Sequence, residues 1–148
     1  MQQEVIRGTD SSGLDLQFEE GLLNRFESFR KANGKSAMIV LKIDKDTRTV
    51  GIEEELVDVD LEDFREDLPD TKPKYILYSF EIKRADGRLQ VPLVLIYYTP
   101  HSAATNLSML YSSAKNQLGR FFNVNKMIEL RNADDLTTEF LVSQLGMR

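Results

Sequence analysis

Apolar residues recur at helical spacing in some parts of this 148-residue chain and cluster in short β-type runs in others. A first helix is predicted over residues 15–31, because large apolar side chains return there every three or four positions. Gly21 would lie inside this helix at a cost of about 1 kcal/mol, and Asn33-Gly34 would end it. The recurring side chains are those of Phe18, Leu22, Phe26 and Phe29.

Short runs of β-branched and aromatic residues predict five strands. They lie at residues 37–43, 48–53, 75–82, 89–98 and 125–130. The Asp-Gly pair at 86–87 is typical of a hairpin turn, and the segment 44–47 forms another turn between the first two strands. The run at 89–98 is the most apolar, so it is predicted at the centre of the sheet, with a bulge or an edge at Pro92.

Two shorter helices are predicted between and after these strands. Residues 61–68 form one, with Asp60 as its N-cap. Residues 137–145 form the other, which is capped by Asp134 or Asp135 and ended by Gly146. With a long helix before the last strand, the predicted order is α-ββ-α-ββ-α-β-α.

This order determines the predicted fold. Hairpins dominate, but the last strand is reached across a helix, so the sheet must contain antiparallel and parallel neighbours. We predict an α/β fold of the α+β type, with a central mixed sheet of about five strands and helices on both faces. One domain is expected over residues 15–148, preceded by a mobile polar arm over residues 1–14.

The stretch from Thr105 to Phe122 is predicted to be one long helix with two different faces. Its core-facing stripe consists of Leu107, Leu110, Tyr111, Ala114, Leu118, Phe121 and Phe122. On the opposite face Met109 is surrounded by residues too small to cover it. These neighbours are Ser112, Ser113 and Asn116, with Lys115 and Arg120 as flanking cations. The face is either a solvated surface with one isolated Met or a contact for another protein, since Met adapts readily to a partner.

Composition excludes several classes of function. Hydrophobic residues make up 41% and charged residues 29% of the chain, as in one ordinary globular domain, and no apolar run approaches a membrane span. The first residues lack the pattern of a signal peptide. The absence of cysteine excludes disulfides and thiolate sites and is consistent with a reducing cytosol. A net charge of −5 argues against nucleic acid and anionic membranes as partners.

The sequence contains no motif for catalysis, cofactor binding or metal binding. It has no glycine-rich phosphate loop, nucleophile elbow or HExxH motif. His101, the single histidine, follows Pro100, where a loop or cap role is expected; a small hydrolase using His101 is the alternative from another class. Glu53-Glu54-Glu55 would alternate between the faces of a strand and so could not converge on one ion. We therefore predict a binding protein without catalytic residues, cofactor or metal.

Basic residues are concentrated in two places in this acidic chain. Arg25, Arg30 and Lys31 lie on the first helix, and Lys115, Arg120 and Lys126 lie on or near the long one. Such local patches either steer an acidic partner protein or serve ordinary solubility.

Several phrases occur in a distinctive order and spacing. They are FRK at 29–31, MIVLKIDKDTR at 38–48, EEELVDVDLEDFREDLPDTKPKYILYSFE at 53–81, DGRLQVPLVLIYYTP at 86–100, MLYSSAKNQL at 109–118 and IELRNADDLTTEFLVSQLG at 128–146. Together they resemble the actin-depolymerising-factor homology family and, within it, the glia maturation factors. The resemblance covers about residues 16–148.

This resemblance implies binding to the actin-related protein 2/3 complex, inhibition of branch nucleation and detachment of daughter filaments. Cofilin-like members of the family usually carry Lys immediately before the Met of a Lys-Met-x-Tyr phrase, whereas this chain has Ser108. Ser12-Gly13-Leu14 is only a loose match to their N-terminal segment. These departures favour the glia maturation branch over the second hypothesis, a cofilin-like protein that binds and disassembles actin itself.

The resemblance also implies two binding sites. The first consists of Arg25, Arg30, Lys31, Met109, Leu110, Tyr111, Lys115 and Asn116. Helical periodicity turns Leu110 and Tyr111 toward the core, so Met109 is the stronger candidate for a direct contact. The second site, used in debranching, consists of Arg84, Asp86 and Arg88 in the hairpin loop and Glu139 in the C-terminal helix.

The implied partners are the actin-related protein 2/3 complex and the first actin subunit of a daughter filament. No nucleic acid, membrane or cofactor is expected, and the protein is expected to be a monomer. The resemblance implies a cytoplasmic location at cortical actin structures, with the nucleus as a further location.

Overall fold

The computed structural model describes residues 8–9, 15–31, 36–124 and 126–146. Its strands are β1 (Gly8–Thr9), β2 (Asp15–Phe18), β3 (Ala37–Ile43), β4 (Thr49–Val57), β5 (Lys74–Ser79), β6 (Ile82–Lys83), β7 (Leu89–Gln90), β8 (Leu93–Tyr98) and β9 (Met127–Leu130). Its helices are α1 (Leu22–Lys31), α2 (Leu61–Asp67), α3 (Thr105–Ser113), α4 (Lys115–Phe122) and α5 (Thr138–Leu145), with a 3-10 turn at Ala133–Asp135.

Seven strands form one mixed sheet in the order β1-β2-β4-β3-β5-β8-β9. The pairs β2–β4 and β8–β9 are parallel and the others are antiparallel, while β6 and β7 form a separate hairpin. The prediction of a mixed sheet is therefore confirmed, with seven strands in place of about five. The prediction that the most apolar run is central is wrong, because β3 occupies the centre and β8 lies next to the edge strand β9. β8 is apolar because packed side chains cover both of its faces.

Two hydrophobic clusters lie on opposite faces of the sheet, which confirms helices on both faces. On one face α1, α3 and α4 pack on alternate residues of the central strands, such as Ile39 and Leu77. On the other face α2 and α5 pack on their neighbours, such as Met38 and Tyr78. Successive strand residues point to opposite faces, so each strand contributes to both clusters.

The beginning of the predicted first helix is a strand. β2 pairs in parallel with β4, with Phe18 opposite Val50, and Gly21 adopts a left-handed φ of +81° at the turn into α1. Phe18 fits the helical spacing of the residues that follow it, but it also alternates with Leu16 as in a strand. Both side chains are buried in the sheet, so the strand interpretation is correct for this segment. The helix end predicted at Asn33-Gly34 lies outside the described residues.

The other N-terminal prediction, a mobile arm over residues 1–14, falls mostly outside the described residues. Within that segment, Gly8–Thr9 pairs antiparallel with β2, opposite Leu16 and Asp15.

The strands predicted at 75–82 and 89–98 are each divided in two. β5 ends at Ser79 and β8 begins at Leu93, and between them the N–H of Phe80 donates to the carbonyl of Pro92 at 3.3 Å. Pro92 itself has no N–H to continue the ladder, so the expected irregularity there is confirmed. The outer halves, β6 and β7, leave the main sheet as the separate hairpin.

The helix predicted over residues 105–122 is interrupted at Ala114. The carbonyl of Tyr111 accepts the hydroxyl of Tyr75, and the N–H of Ala114 bonds back to the same carbonyl at 3.1 Å. A carbonyl inside a helix normally accepts the N–H four residues later. The Tyr75 hydroxyl competes with that bond at the Tyr111 carbonyl, which explains why α3 ends and α4 begins here. No glycine or proline marks this break in the sequence.

The caps of α2 and α5 and the hairpin of β3 and β4 agree with the sequence except at one cap and one strand end. Asp60 accepts N–H donors at the start of α2, and Gly146 with φ +70° ends α5, as predicted. The predicted cap at Asp134 or Asp135 is wrong, because the Thr137 hydroxyl accepts the N–H of Phe140 at 3.1 Å. β4 continues beyond Glu53 to Val57.

Candidate protein-interaction site

Met109 protrudes from the outer face of α3, with 64% of its surface exposed. Ser112 and Asn116, which follow it on this face, are also exposed, and Ser113 is half-buried. Small side chains beside a large flexible one leave the methionine accessible from several directions. The geometry therefore agrees with the helical periodicity and provides an apolar projection on a polar floor.

Tyr111 supports this helix from below. It is buried, and its hydroxyl accepts the main-chain N–H of Ile43 at 2.9 Å. Its ring is stacked on Tyr75 at 5.9 Å between centroids, and burial raises the pKa of its phenol. Tyr111 therefore fixes the helix to the sheet from inside the fold, and its neighbour Leu110 is half-buried against the same core.

Aromatic packing joins the first helix to the long-helix region. Phe26 of α1 meets Phe122 of α4 edge to face, with ring centroids 4.8 Å apart. Phe18 of β2 is stacked on Phe121 at 3.9 Å. Since α1 and α4 share one layer, the first predicted site lies on one face of the sheet.

The cations of this first site differ in their surroundings. Arg25 is exposed and forms an ion pair with Glu55 of β4, so a partner would compete with an internal carboxylate. Arg30 and Lys31 are exposed at the end of α1 and have no ion pair within the described part of the chain. Lys115 is half-buried where α4 begins. Arg30 and Lys31 are thus the cations most available to an acidic surface.

The second predicted site contains a cleft between the β6–β7 hairpin and α5. Its volume is about 620 Å³, and Arg84 and Glu139 both line it. The guanidinium of Arg84 donates to the Gln90 side chain at 3.1 Å, which holds it against the hairpin. Apolar groups from Ile82 and Val142 also face the cleft, so it offers both charge and hydrophobic contact.

Asp86 and Arg88 lie at the tip of the same hairpin and bond to each other. The Asp86 carboxylate accepts the Arg88 main-chain N–H at 3.0 Å and its Nε at 2.7 Å. These bonds from Arg88 lower the pKa of the Asp86 carboxyl. The two charges largely cancel, so they define the shape of the tip more than its net charge.

Sequence reasoning missed two exposed apolar residues beside this tip. Leu89 and Val91 are 60% and 45% exposed. They were assigned to a continuous buried strand, although Pro92 already indicated where that strand must be interrupted. The hairpin therefore exposes apolar side chains at and just after β7, in addition to the apolar lining of the cleft.

No group of three or more potential metal ligands is found among the described residues. His101 is exposed in a turn, and its imidazole makes no hydrogen bond to another described side chain. Glu53 and Glu55 pair with Lys74 and Arg25. Within the described ranges no helix is long and apolar enough to cross a membrane.

Comparison with known proteins identifies close relatives. The profile of the cofilin/tropomyosin-type actin-binding protein family matches residues 15–146. Glia maturation factor beta of Homo sapiens is 35% identical over 128 residues, covering 86% of this chain and 90% of the relative. Glia maturation factor of Drosophila melanogaster is 30% identical, covering 84% and 91%. The solution structure of glia maturation factor from Caenorhabditis elegans superposes with a TM-score of 0.73 at 32% identity, covering 85% and 92%.

Proposed function

The chain belongs to the cofilin-type actin-binding family and, within it, to the glia maturation factors, and on that basis we propose that it binds the actin-related protein 2/3 complex. In this proposal it inhibits branch nucleation and promotes the debranching of actin filaments. A role in actin regulation follows from family membership. The family is one of non-enzymatic actin-binding proteins.

The observation that carries the proposal is the exposed Met109 on α3, immediately after Ser108. A cofilin-like contact with actin would place a lysine at position 108, next to the methionine. Here the neighbour is a half-buried serine, so this face has an apolar anchor without the adjacent positive charge. Anchors of this kind, surrounded by small residues, often contribute a large part of an interface's binding energy.

Debranching is assigned to the second surface, formed by the cleft and the hairpin tip. Once Met109 is docked on the complex, the cleft and the exposed Leu89 would meet a second protein at the branch, the first actin subunit of the daughter filament. A ligand shifts an equilibrium only through different affinities for its two states. We therefore propose tighter binding to the detached complex than to the intact branch.

Direct binding to actin is the second candidate function. The family to which the chain belongs is that of the cofilin/tropomyosin-type actin-binding proteins. The cleft between β6–β7 and α5 would serve such a contact as readily as it serves the branch.

A side-by-side pull-down with purified actin-related protein 2/3 complex and purified actin separates these functions. We expect retention on the complex and little on actin monomers or filaments. Submicromolar binding to actin in the absence of the complex, about −8 kcal/mol or stronger, would support the second candidate and remove the first.

The proposed location follows from the partner. We expect the protein in the cytoplasm at cortical actin structures, with a nuclear fraction, and as a monomer. Imaging of a tagged protein against markers of branched actin tests this expectation.

A further inference from the structure

The outer edge of β4 is unpaired along most of its length in the described structure. β2 covers only its beginning, where Gln17 and Phe18 lie opposite Thr49 and Val50. Beyond Val50, β4 pairs only with β3 among the described strands. A strand edge without a neighbour presents main-chain donors and acceptors that another extended segment can use.

The direction of these main-chain groups can be assigned. The N–H of Asp58 donates to the Ser36 carbonyl at 2.8 Å, on the side of β3. Main-chain groups of a strand alternate between its two edges, so those of Glu55 and Val57 lie on the outer edge. No described main-chain group bonds to them there.

The side chains beside this edge are apolar and acidic. Val57 is 78% exposed, the highest value among the exposed large hydrophobic residues. Next to it, between β4 and α2, is a cleft of about 270 Å³ with Leu56 and Phe64 in its lining. Five carboxylates also line the cleft, including Glu54, Asp63 and Asp67, and no described cation does.

In the described part of the chain, two carboxylates of β4 outside the cleft are paired with cations, whereas three carboxylates that line the cleft are not. Glu53 pairs with Lys74 and Glu55 pairs with Arg25. The carboxylates of Glu54, Asp63 and Asp67 have no ion pair with any described residue. These carboxylates would attract a positively charged segment beside β4 and repel a negatively charged one. A basic extended segment is therefore the favoured occupant.

We propose that this edge is a docking site for an extended basic segment of a partner protein, which adds a strand next to β4. Its main chain pairs with the outer groups of Glu55 and Val57, as in β-strand addition. Alternate residues place lysine or arginine over the cleft and an apolar side chain on Val57. This surface is separate from Met109 and from the hairpin cleft, so it does not depend on the proposed function.

A seven-residue labelled peptide, RVKVRVK, is the probe. Binding to the full chain is measured by fluorescence anisotropy at low salt, and the amides of Glu55 and Val57 are followed by NMR hydrogen exchange. We expect saturable binding and slower exchange at these two amides. The peptide RVKPRVK keeps the charge but loses a main-chain donor, and it should bind at least about threefold more weakly.

Two double variants on α2 form a matched pair with the same change in net charge. Asp63→Lys with Asp67→Lys should weaken RVKVRVK binding by about three- to tenfold, because two exposed ion pairs are replaced by repulsion. Glu62→Lys with Glu66→Lys changes the same helix outside the cleft and should leave binding within about twofold.

Four results of the peptide experiments would overturn the proposal. They are absence of RVKVRVK binding, equal binding of the proline peptide, equal loss in both double variants, and unchanged exchange at Glu55 and Val57. Sedimentation without peptide tests a second copy of the chain as the occupant. If the protein forms a dimer that the Asp63→Lys with Asp67→Lys variant abolishes and the Glu62→Lys with Glu66→Lys variant retains, the occupant of the edge is a second copy of the chain. That result would also overturn the proposal of a basic segment.

Discussion

The hydroxyl of Tyr111 accepts the main-chain N–H of Ile43 at 2.9 Å, and this bond connects α3 to the end of β3. Both groups are buried, so loss of the hydroxyl leaves the N–H without a partner. We predict that Tyr111→Phe lowers the free energy of unfolding by about 1–3 kcal/mol. Urea denaturation measures this change.

The same Tyr111→Phe variant tests whether Tyr111 is a direct contact. Affinity for the actin-related protein 2/3 complex, measured at a temperature where the variant is folded, should stay within about twofold of the parent. A larger loss of affinity would show that the hydroxyl reaches the partner.

Met109→Asp should weaken binding to the complex by about 1–3 kcal/mol, the loss expected for an interface anchor. The side chain is 64% exposed, so the melting temperature should change little. Thr71→Asp is the matched control, because it places the same charge at another exposed position that lies outside every proposed binding surface, and it should retain affinity. Equal effects of the two variants on binding would remove Met109 from the interface.

Arg84→Ala combined with Glu139→Ala should separate debranching from binding. Both side chains line the cleft of the second surface. We expect debranching to slow by about tenfold, equivalent to about 1.4 kcal/mol, with affinity for the complex unchanged. Arg131→Ala with Glu129→Ala removes an exposed ion pair of another region and serves as control. If the control slows debranching equally, the cleft has no special role.

Gly21→Ala distinguishes the observed turn from the helix predicted by the sequence. At φ +81° an alanine is strained, and we expect a loss of about 1–2 kcal/mol in stability. Inside a helix the same change would stabilise by about 1 kcal/mol. Gly119→Ala in α4 provides that comparison, since its added Cβ would lie 3.8 Å from the nearest atoms. Denaturation curves of both variants should shift in opposite directions.

Alkaline pH should destabilise the fold through its tyrosines. Burial raises the pKa of all five above the usual value of about 10. The native state then retains protons that the unfolded state releases, so the tyrosine contribution to stability is constant well below about pH 10 and falls as pH rises through about 10 and beyond. For the fully buried Tyr75 the slope is about 1.4 kcal/mol per pH unit. Absorbance titration of native and unfolded protein, with unfolding curves from pH 9 to 11, checks this; coincident titrations would contradict it.

The sequence predicts those parts of the fold that depend on local patterns. The hairpin of β3 and β4, the Asp60 cap and the Gly146 stop follow from neighbouring residues. β2 could not be predicted in this way, because its partner β4 lies about thirty residues further along the chain. The break at Ala114 depends on the hydroxyl of Tyr75, which comes from another strand.

The geometry of the first predicted site was easier to derive from the sequence than that of the second. Exposure of Met109 and burial of Tyr111 both follow from helical periodicity. The exposure of Leu89 and Val91 was harder to recognise, since an apolar run has the same appearance in a core strand and in an exposed hairpin, and only Pro92 indicated an interruption. The ion pair of Arg25 with Glu55 also joins residues that only the tertiary fold brings together.

The parallel pairing of β8 with β9 determines when the Met109 surface forms during synthesis. Ile96 and Ile128 are register partners, and α3 and α4 lie entirely in the crossover between them. Closing such a long loop is entropically costly, so local hairpins form first and this pairing is late. We expect a ribosome-bound chain that has not yet released β9 to lack a stable α3 platform. On this expectation, the surface around Met109 on α3 forms only after β9 has been synthesised and has left the ribosome.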